Sequence, residues 1–586
     1  MSPVKDSEIQ IKSYDFSPVW LQLLKSENKW INWPVVYLLH NDKGLYVWET
    51  SSAISRMNEH GKTDKKKLTN IEIIFDDTFN KSAILDIEQN LIKLFNADWK
   101  YKLWNQNWWQ STMHDYYQRE FYVSKVDKIW ESLMKMKLSI NPIEVLRNSD
   151  LFKFSPYNSL TEEQNNVSKS IIYDMINTLS KWKEWISIIE WWAWTWKTIV
   201  LINMMYKLIN AMNTNFDKAV DEDSDLSDYV QLIRDIQNYI NEYNNWKPLK
   251  MAYISQMEWL RKTLKFVFSK TKWLSSKMVV WPLDIVNDVY RTREKYDIVF
   301  VDESHRLAQR KNIWWMWTFD AAARKCWMDP KESNVFDFIM HCSKYKVLVY
   351  DKNQTVKWSD ITPEQFRKSL WSLEPKLYKL SSQMRCNWWE SYINYVSDLL
   401  NCRKGLIKQN MDNDFELKMY YDADKMVNKI KELDKKFDLC RNVSWYSRDW
   451  ISKWMKYDDI IKNGKEDIEI NWKKYIWNTC LGWWITSKNA INEIWCIHTV
   501  QGYDLNYVWV IFWKEIDYDE VTNKIIINKN EVFDKYVKQW ASDLKLEEYV
   551  LNSYKVLMTR WIKWCYVYAY NEWLRKYLSR FIDKVE

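Results

Sequence analysis

Glycine is nearly missing, at 6 of 586 residues, where an average soluble chain of this length carries roughly 41. So few glycines exclude the tight turns and phosphate-binding loops of an α/β enzyme, unless another residue stands in their place. Tryptophan, ordinarily among the scarcest residues, is present 41 times. The two counts look exchanged. Our reading is that one codon, decoded here as Trp, is decoded as Gly by the source organism. UGA is the natural candidate, because some genetic codes assign it to Trp and some uncultured bacterial lineages assign it to Gly. Each Trp is therefore read as "Trp or Gly" from its local context. A chain in which every Trp is genuine would carry the bulkiest side chain where only Gly fits, and is expected to be inactive.

Other scarcities narrow the class further. No run approaches the twenty or so apolar residues of a membrane-spanning helix, so no membrane association is expected. The start, MSPVKDSEIQIKSYDF, lacks the basic-then-apolar form of a signal peptide, and the expected compartment is the cytoplasm. Eight cysteines are scattered without a CxxC pair, which indicates neither a zinc site nor a disulfide framework. A net charge of +7 permits a polyanionic partner without demanding one.

Two regions follow from the hydrophobic pattern. Residues 30–135 alternate short apolar runs (35–39, 45–47, 71–75) with a helical stretch, 82–95, whose apolar residues recur at three and four; this is a small α+β unit behind an N-terminal extension, 1–29. Residues 136–158, with Pro142 and Pro156, read as a linker. Beyond it, strand-like runs at 186–189, 250–254, 278–280, 298–301, 346–350, 507–512 and 565–568 alternate with helical patterns, the signature of parallel α/β sheets. The acidic stretch 217–229 and the KTDKKK run at 62–67 are expected to be solvated loops.

The strand-like SIIE (187–190) is followed by WWAWTWKT (191–198), which becomes GGAGTGKT when Trp is read as Gly. That is a phosphate-binding loop between a strand and a helix. Converging backbone N–H groups require glycine at Trp191 and Trp196 and tolerate it at Trp192 and Trp194, with Ala193 and Thr195 between them. Lys197 would reach the β- and γ-phosphates of ATP, and Thr198 would ligate Mg²⁺. About a hundred residues on, the apolar strand of YDIVFVDESHR ends in Asp302, suited to the outer shell of Mg²⁺, and Glu303, suited to activating water.

LTEEQ (160–164), QMEWLRKTLK (256–265), VDESHRL (301–307), DKNQTV (351–356), QMRC (383–386), HTVQGYDLNYVWVIF (498–512) and VLMTRWIKW (556–564) occur in the order found in superfamily-one helicase-like ATPases. The chain most resembles the bacterial family related to the Schlafen ATPase domain. The resemblance covers residues 150–580. It implies two RecA-like lobes, 159–350 and 351–586, with ATP and Mg²⁺ as cofactors and nucleic acid, DNA rather than RNA, as partner. It also implies that Gln164 senses adenine, that Gln354 couples the lobes, and that Arg385 and Arg560 reach the γ-phosphate while Gln501 and Gly502 line the cleft. It favours glycine at Trp48, Trp191, Trp192, Trp194, Trp196, Trp281, Trp495, Trp509, Trp513, Trp561 and Trp564, whereas Trp130, Trp450 and Trp477 sit in ordinary apolar contexts. A nucleotide-gated nucleic-acid sensor that does not translocate, with a degenerate nuclease domain, would carry the same ATPase motifs.

PVVYLLHNDKGLYVWETSSAISRMNEH (34–60), with Trp48 read as Gly, resembles a GIY-YIG nuclease domain. Val35-Val36-Tyr37 stands for the first tripeptide, with Val35 where the family has glycine, and Tyr46-Val47-Trp48 stands for the second. By that resemblance Tyr37 or Tyr46 takes the proton from water, Arg56 holds the scissile phosphate and Glu88 binds Mg²⁺ or a similar ion. His60 and Asn107 are supporting candidates. The expectation is an α/β protein: a small α+β nuclease domain followed by two RecA-like parallel-sheet lobes.

Overall fold

The computed structural model describes the chain outside residues 1–7, 17–31, 106–115, 182, 192–196, 215–226, 243–246, 312, 352–358, 371–372, 381–388, 409–415, 454, 471, 480–483, 485–486, 488, 501–504, 535–537, 539–541, 560 and 586. It separates into two compact units. One comprises residues 1–173, 198–238 and 270–273, and the other comprises residues 174–197, 239–269 and 274–586.

In the first unit, β1 (Gln10–Asp15), β2 (Val35–His40), β3 (Gly44–Thr50), β4 (Asn70–Phe75) and β5 (Lys102–Leu103) form one sheet in the order β1-β4-β2-β3-β5. All pairings are antiparallel except β3 with β5. Strand β2 is buried along its whole length, as its unbroken VVYLL run demands. Val35, Tyr37 and Leu39 share a core with Tyr46, Ala53, Met57, Ile71 and Ile73. Helix Lys81–Asp98 starts at Asn80, whose side chain accepts from the Ala83 N–H, and stops at Trp99, which has φ 64°. The stretch expected as a linker carries helices Ile143–Asn148 and Asp150–Lys153.

The second unit holds two sheets. The first contains β6 (Trp185–Trp191), β7 (Met251–Ser255), β8 (Val279–Val280), β9 (Tyr296–Asp302), β10 (Ser343–Tyr350) and β11 (Lys376–Leu380), in the order β11-β6-β10-β9-β7-β8 and parallel throughout. Strand β9 is buried on both faces, the condition under which a parallel strand reads as a continuous apolar run rather than an alternating one.

The second sheet contains β12 (Glu416–Tyr420), β13 (Cys440–Ser444), β14 (Ile468–Ile470), β15 (Lys473–Trp477), β16 (Glu493–Cys496), β17 (Leu505–Phe512), β20 (Trp561–Ala569) and β21 (Asp583–Val585), in the order β14-β15-β16-β13-β17-β20-β12-β21. Only β14 and β15 pair antiparallel. A separate hairpin joins β18 (Ile516–Asp519) to β19 (Lys524–Ile527). The architecture is the expected α/β one, with two parallel-sheet, RecA-like lobes. Among the described residues no helix is long and apolar enough to cross a membrane.

Candidate functional site

Ligands of open parallel sheets bind beyond the carboxyl ends of the strands, where successive connections diverge to opposite sides. In the first lobe β6 has β11 on one side and β10 on the other, and β9 lies next to β10. The carboxyl ends of β6, β10 and β9 are therefore neighbours, and they lead into the chemically distinctive residues.

Past β6, Lys197 opens helix Lys197–Asn213. Its Nζ lies 3.0 Å from Oδ2 of Asp351, the residue directly after β10, and both side chains are buried. At the end of β9, Asp302 is fully buried and accepts a 2.6 Å hydrogen bond from the Tyr253 hydroxyl and a 2.9 Å bond from the Glu303 N–H. Glu303 adopts φ 50°, an unusual backbone state for a non-glycine residue. Its Oε2 lies 2.9 Å from His305 Nε2. Ser304 anchors this turn by donating to the Val349 carbonyl at 2.7 Å. A buried ion pair adds little net stability, because desolvation offsets its attraction.

Gln164 is fully buried near the start of helix Glu162–Leu179. Its Oε1 accepts from the Thr161 N–H at 3.0 Å, and Thr161 Oγ1 accepts from the Gln164 N–H at 3.2 Å. With this reciprocal capping, Nε2 has no hydrogen-bond partner among the described residues. Thr198 is the second residue of its helix, and Trp191 ends β6 opposite Leu380. Trp192, Ala193, Trp194, Thr195, Trp196, Gln354, Arg385, Gln501, Gly502, Arg560 and Asn107 lie outside the described residues.

In the first unit the sheet and two helices bring a second group together. Tyr37 on β2 faces Trp48 on β3 in the strand register, and Leu39 faces Tyr46. The Tyr46 and Trp48 rings stack at 5.7 Å. Arg56, from helix Ala53–His60, lies with its guanidinium carbon 5.5 Å from the Trp48 ring centre. The Tyr37 hydroxyl is 2.6 Å from His60 Nε2. Burial holds the Tyr37 phenol well above its ordinary pKa; Arg56 opposes that shift by charge and by a hydrogen bond, whereas Glu88 and Glu49 reinforce it. Tyr37, Arg56, His60 and Glu88 thus converge, with Glu88 supplied by helix Lys81–Asp98.

Two residues join this group that the sequence pattern did not single out. Lys65, from the run read as a solvated loop, donates to the Tyr46 hydroxyl at 2.9 Å and lies 4.0 Å from its ring centre. Glu49 is held by Lys81 at 2.5 and 2.6 Å. Asp351 and Tyr253 are the corresponding additions at the strand ends of the first sheet. Asp351 had a legible signal, since a carboxylate directly following an apolar strand lies at the binding edge of a parallel sheet. Among the described residues no three His, Cys, Asp or Glu side chains gather as a metal cage.

The imidazole of His60 is pushed down from 6.5 to about 2, first by burial and then by the charges of Lys65 and Arg56. It is therefore neutral in the fold, sharing a hydrogen bond with the Tyr37 hydroxyl. Because the unfolded chain protonates this histidine below about 6.5 and the folded one does not, its contribution to stability is complete above that pH and declines as the pH falls toward 2. Urea unfolding of the first unit is expected to lose roughly 2 kcal/mol between pH 7 and pH 5. His60→Gln is expected to flatten that dependence.

A protein-family model described as "Schlafen group 3, DNA/RNA helicase domain" matches residues 186–571. Among curated proteins the chain is 26% identical over 455 residues to the uncharacterized protein YPL245W of Saccharomyces cerevisiae, covering 72% of this chain and 91% of the yeast protein. Among solved structures, the Pif1 helicase of Candida albicans aligns with 72% of this chain and 98% of its own, at 10% identity and a TM-score of 0.26.

Proposed function

Since this chain belongs to the family of the Schlafen group 3 DNA/RNA helicase domain, we propose that it is an ATP-hydrolysing nucleic-acid enzyme carrying an N-terminal, metal-dependent phosphodiesterase of the GIY-YIG kind. The observation that carries the ATPase reading is the set of neighbouring strand ends: Lys197 beyond β6, Asp351 beyond β10 and Asp302-Glu303 at β9. Lys197 would exchange Asp351 for the phosphates. Thr198 and Asp302 would hold Mg²⁺, which neutralises developing charge on the phosphoryl oxygens. Glu303 would take the proton of the attacking water, and Gln164 would offer its Nε2 to adenine.

The nuclease reading is supported by the convergence of Tyr37, Arg56, His60 and Glu88. Arg56 would hold the scissile phosphate and Glu88 the metal. Tyr37 or Tyr46 would take the proton from water, and Lys65 donates to the Tyr46 hydroxyl at 2.9 Å.

Both readings require glycine where the sequence prints tryptophan, and backbone geometry away from the site supports that replacement. Among the described residues, four of thirteen non-glycine residues with positive φ are tryptophan: Trp99, Trp273, Trp327 and Trp472. Trp327 follows helix Met316–Lys325 with its N–H bonded to the Arg324 carbonyl, while the Met328 N–H bonds to that of Ala323. This is the helix-ending motif whose left-handed position is usually glycine. Trp472 lies between Ile470 and Lys473, a register pair of the β14–β15 hairpin. The dipeptide Asn471-Trp472 becomes Asn-Gly if residue 472 is glycine, the favoured pair for a two-residue hairpin loop.

Trp327 and Trp472 are 88% and 93% exposed, so neither gains burial in return for its strained backbone. Replacing each by Gly is expected to raise stability by about 1 kcal/mol, measured as the shift in urea midpoint. Burial alone does not sort the tryptophans, because Trp495 and Trp509, expected as glycine, are as enclosed as Trp130 and Trp477. The functional test is whether the chain with glycine at 191, 192, 194 and 196 hydrolyses ATP and, separately, cuts nucleic acid with Mg²⁺. Each half of the proposal falls if its own activity is absent.

A further inference from the structure

Near the β3–β5 edge of the first unit, Lys100 and Lys102 meet Lys270 and Lys272, with the backbones of Lys43 and Lys137 beside them. Lys102 opens β5 opposite Gly44, and its N–H bonds to the Lys43 carbonyl at 2.8 Å. Lys100 donates to the Lys137 carbonyl. Lys270 and Lys272 arrive from a distant stretch of sequence: Lys270 Nζ lies 3.5 Å from the ring centre of Trp99, and Lys272 is near enough to Lys102 for that charge to help lower its pKa, after burial. Among the described residues, Lys43, Lys100, Lys102 and Lys272 form no ion pair with a carboxylate. Tyr101 lies within the group, 5.0 Å from the Lys100 ammonium.

Like charges held close together, as Lys102 and Lys272 are, cost free energy in the isolated fold, and a polyanion removes that cost. We propose that this lysine cluster is a docking surface for the phosphodiester backbone of single-stranded nucleic acid, feeding it to the Tyr37–Glu88 group. The surface rests on the nucleic-acid reading given above and adds where on the chain the strand is held. Strand β3 links the two places. Lys102 stands opposite Gly44, and Tyr46 lies two residues further, about 7 Å along the strand, close to one nucleotide step of an extended chain. The half-buried ring of Tyr101 offers a surface on which a base can stack, an interaction that tolerates any sequence.

The test is Lys102→Ala/Lys272→Ala in the full-length chain that carries glycine at 191, 192, 194 and 196, with binding of a fluorescein-labelled single-stranded DNA and the RNA of the same sequence followed by anisotropy from about 50 to 300 mM salt. Each phosphate that is no longer neutralised should reduce the slope of log affinity against log salt by about 0.7. The expected result is a slope lower by about 1.4, with affinity roughly tenfold weaker at 0.1 M salt and ATP hydrolysis without nucleic acid unchanged. Unchanged slope and affinity in a variant of wild-type thermal stability, while the wild type binds, would overturn the docking surface and leave the enzyme reading standing. Failure of the wild type to bind either strand would overturn that reading and the surface with it. Preferential binding of phosphatidylserine vesicles through the same lysines would assign them to a membrane and overturn the proposal.

Discussion

Lys197→Ala, made in the chain that carries glycine at 191, 192, 194 and 196, is expected to lower ATP hydrolysis at least about a hundredfold, a loss of about 2.7 kcal/mol in transition-state stabilisation. The charge that accumulates on a transferring phosphoryl group needs fixed cations, and Lys197 is the one that opens the helix after β6. Removing it also takes a buried cation from beside Asp351, which destabilises the fold in its own right. Glu303→Gln separates the two effects. It keeps size and hydrogen bonding, and it removes only the group proposed to accept the proton of water. The expected outcome is a comparable loss of turnover with nucleotide affinity retained, read by ATPase kinetics beside nucleotide titration. Loss of turnover with Lys197→Ala but not with Glu303→Gln would place the base elsewhere.

Glu88→Gln is expected to abolish Mg²⁺-dependent cleavage of nucleic acid, a loss of about two orders of magnitude or more, while ATP hydrolysis stays at the wild-type rate. Glutamine preserves the shape of a largely buried side chain on helix Lys81–Asp98, so the fold should tolerate it, but it removes the negative charge a divalent ion requires. Arg56→Ala should act on the same reaction through the phosphate. It also removes a charge that favours ionised Tyr37. Separate loss of cleavage and of ATPase, in gel and phosphate-release assays on the same preparations, would establish two independent centres. Loss of both from Glu88→Gln alone would mean that the N-terminal group supports the ATPase rather than a second reaction.

Much of the architecture was readable from apolar runs, and the reason is burial. The run at 298–301 falls inside β9 and that at 346–350 inside β10, both enclosed on two faces by their position in a parallel sheet. Strands without that enclosure left no clear trace. β1, QIKSYD, is an edge strand with only intermediate and exposed residues, and β15, KKYIW, begins with two exposed lysines. At the sites, residues whose chemistry is local in sequence were legible: Lys197 beside its helix, and Asp302-Glu303 at a strand end. The pairings that only folding makes were not, even where one member was legible by itself. Asp351 meets Lys197 across 154 positions, and Lys65 meets Tyr46 through a turn that a run of lysines does not announce. The lysine cluster is the extreme case, since residues 270–272 join it from far along the chain.

The glycine replacement underlies both reactions, and it is open to direct observation. The decisive measurement is a peptide mass spectrum, from cells of the source organism, of the fragment spanning positions 191 to 197. Glycine masses at 191, 192, 194 and 196 are the expected result and would give the chain a phosphate-binding loop able to approach ATP through its backbone. Tryptophan masses at those positions would contradict the account, because four indoles would fill the space the phosphates need, and the ATPase reading would fall.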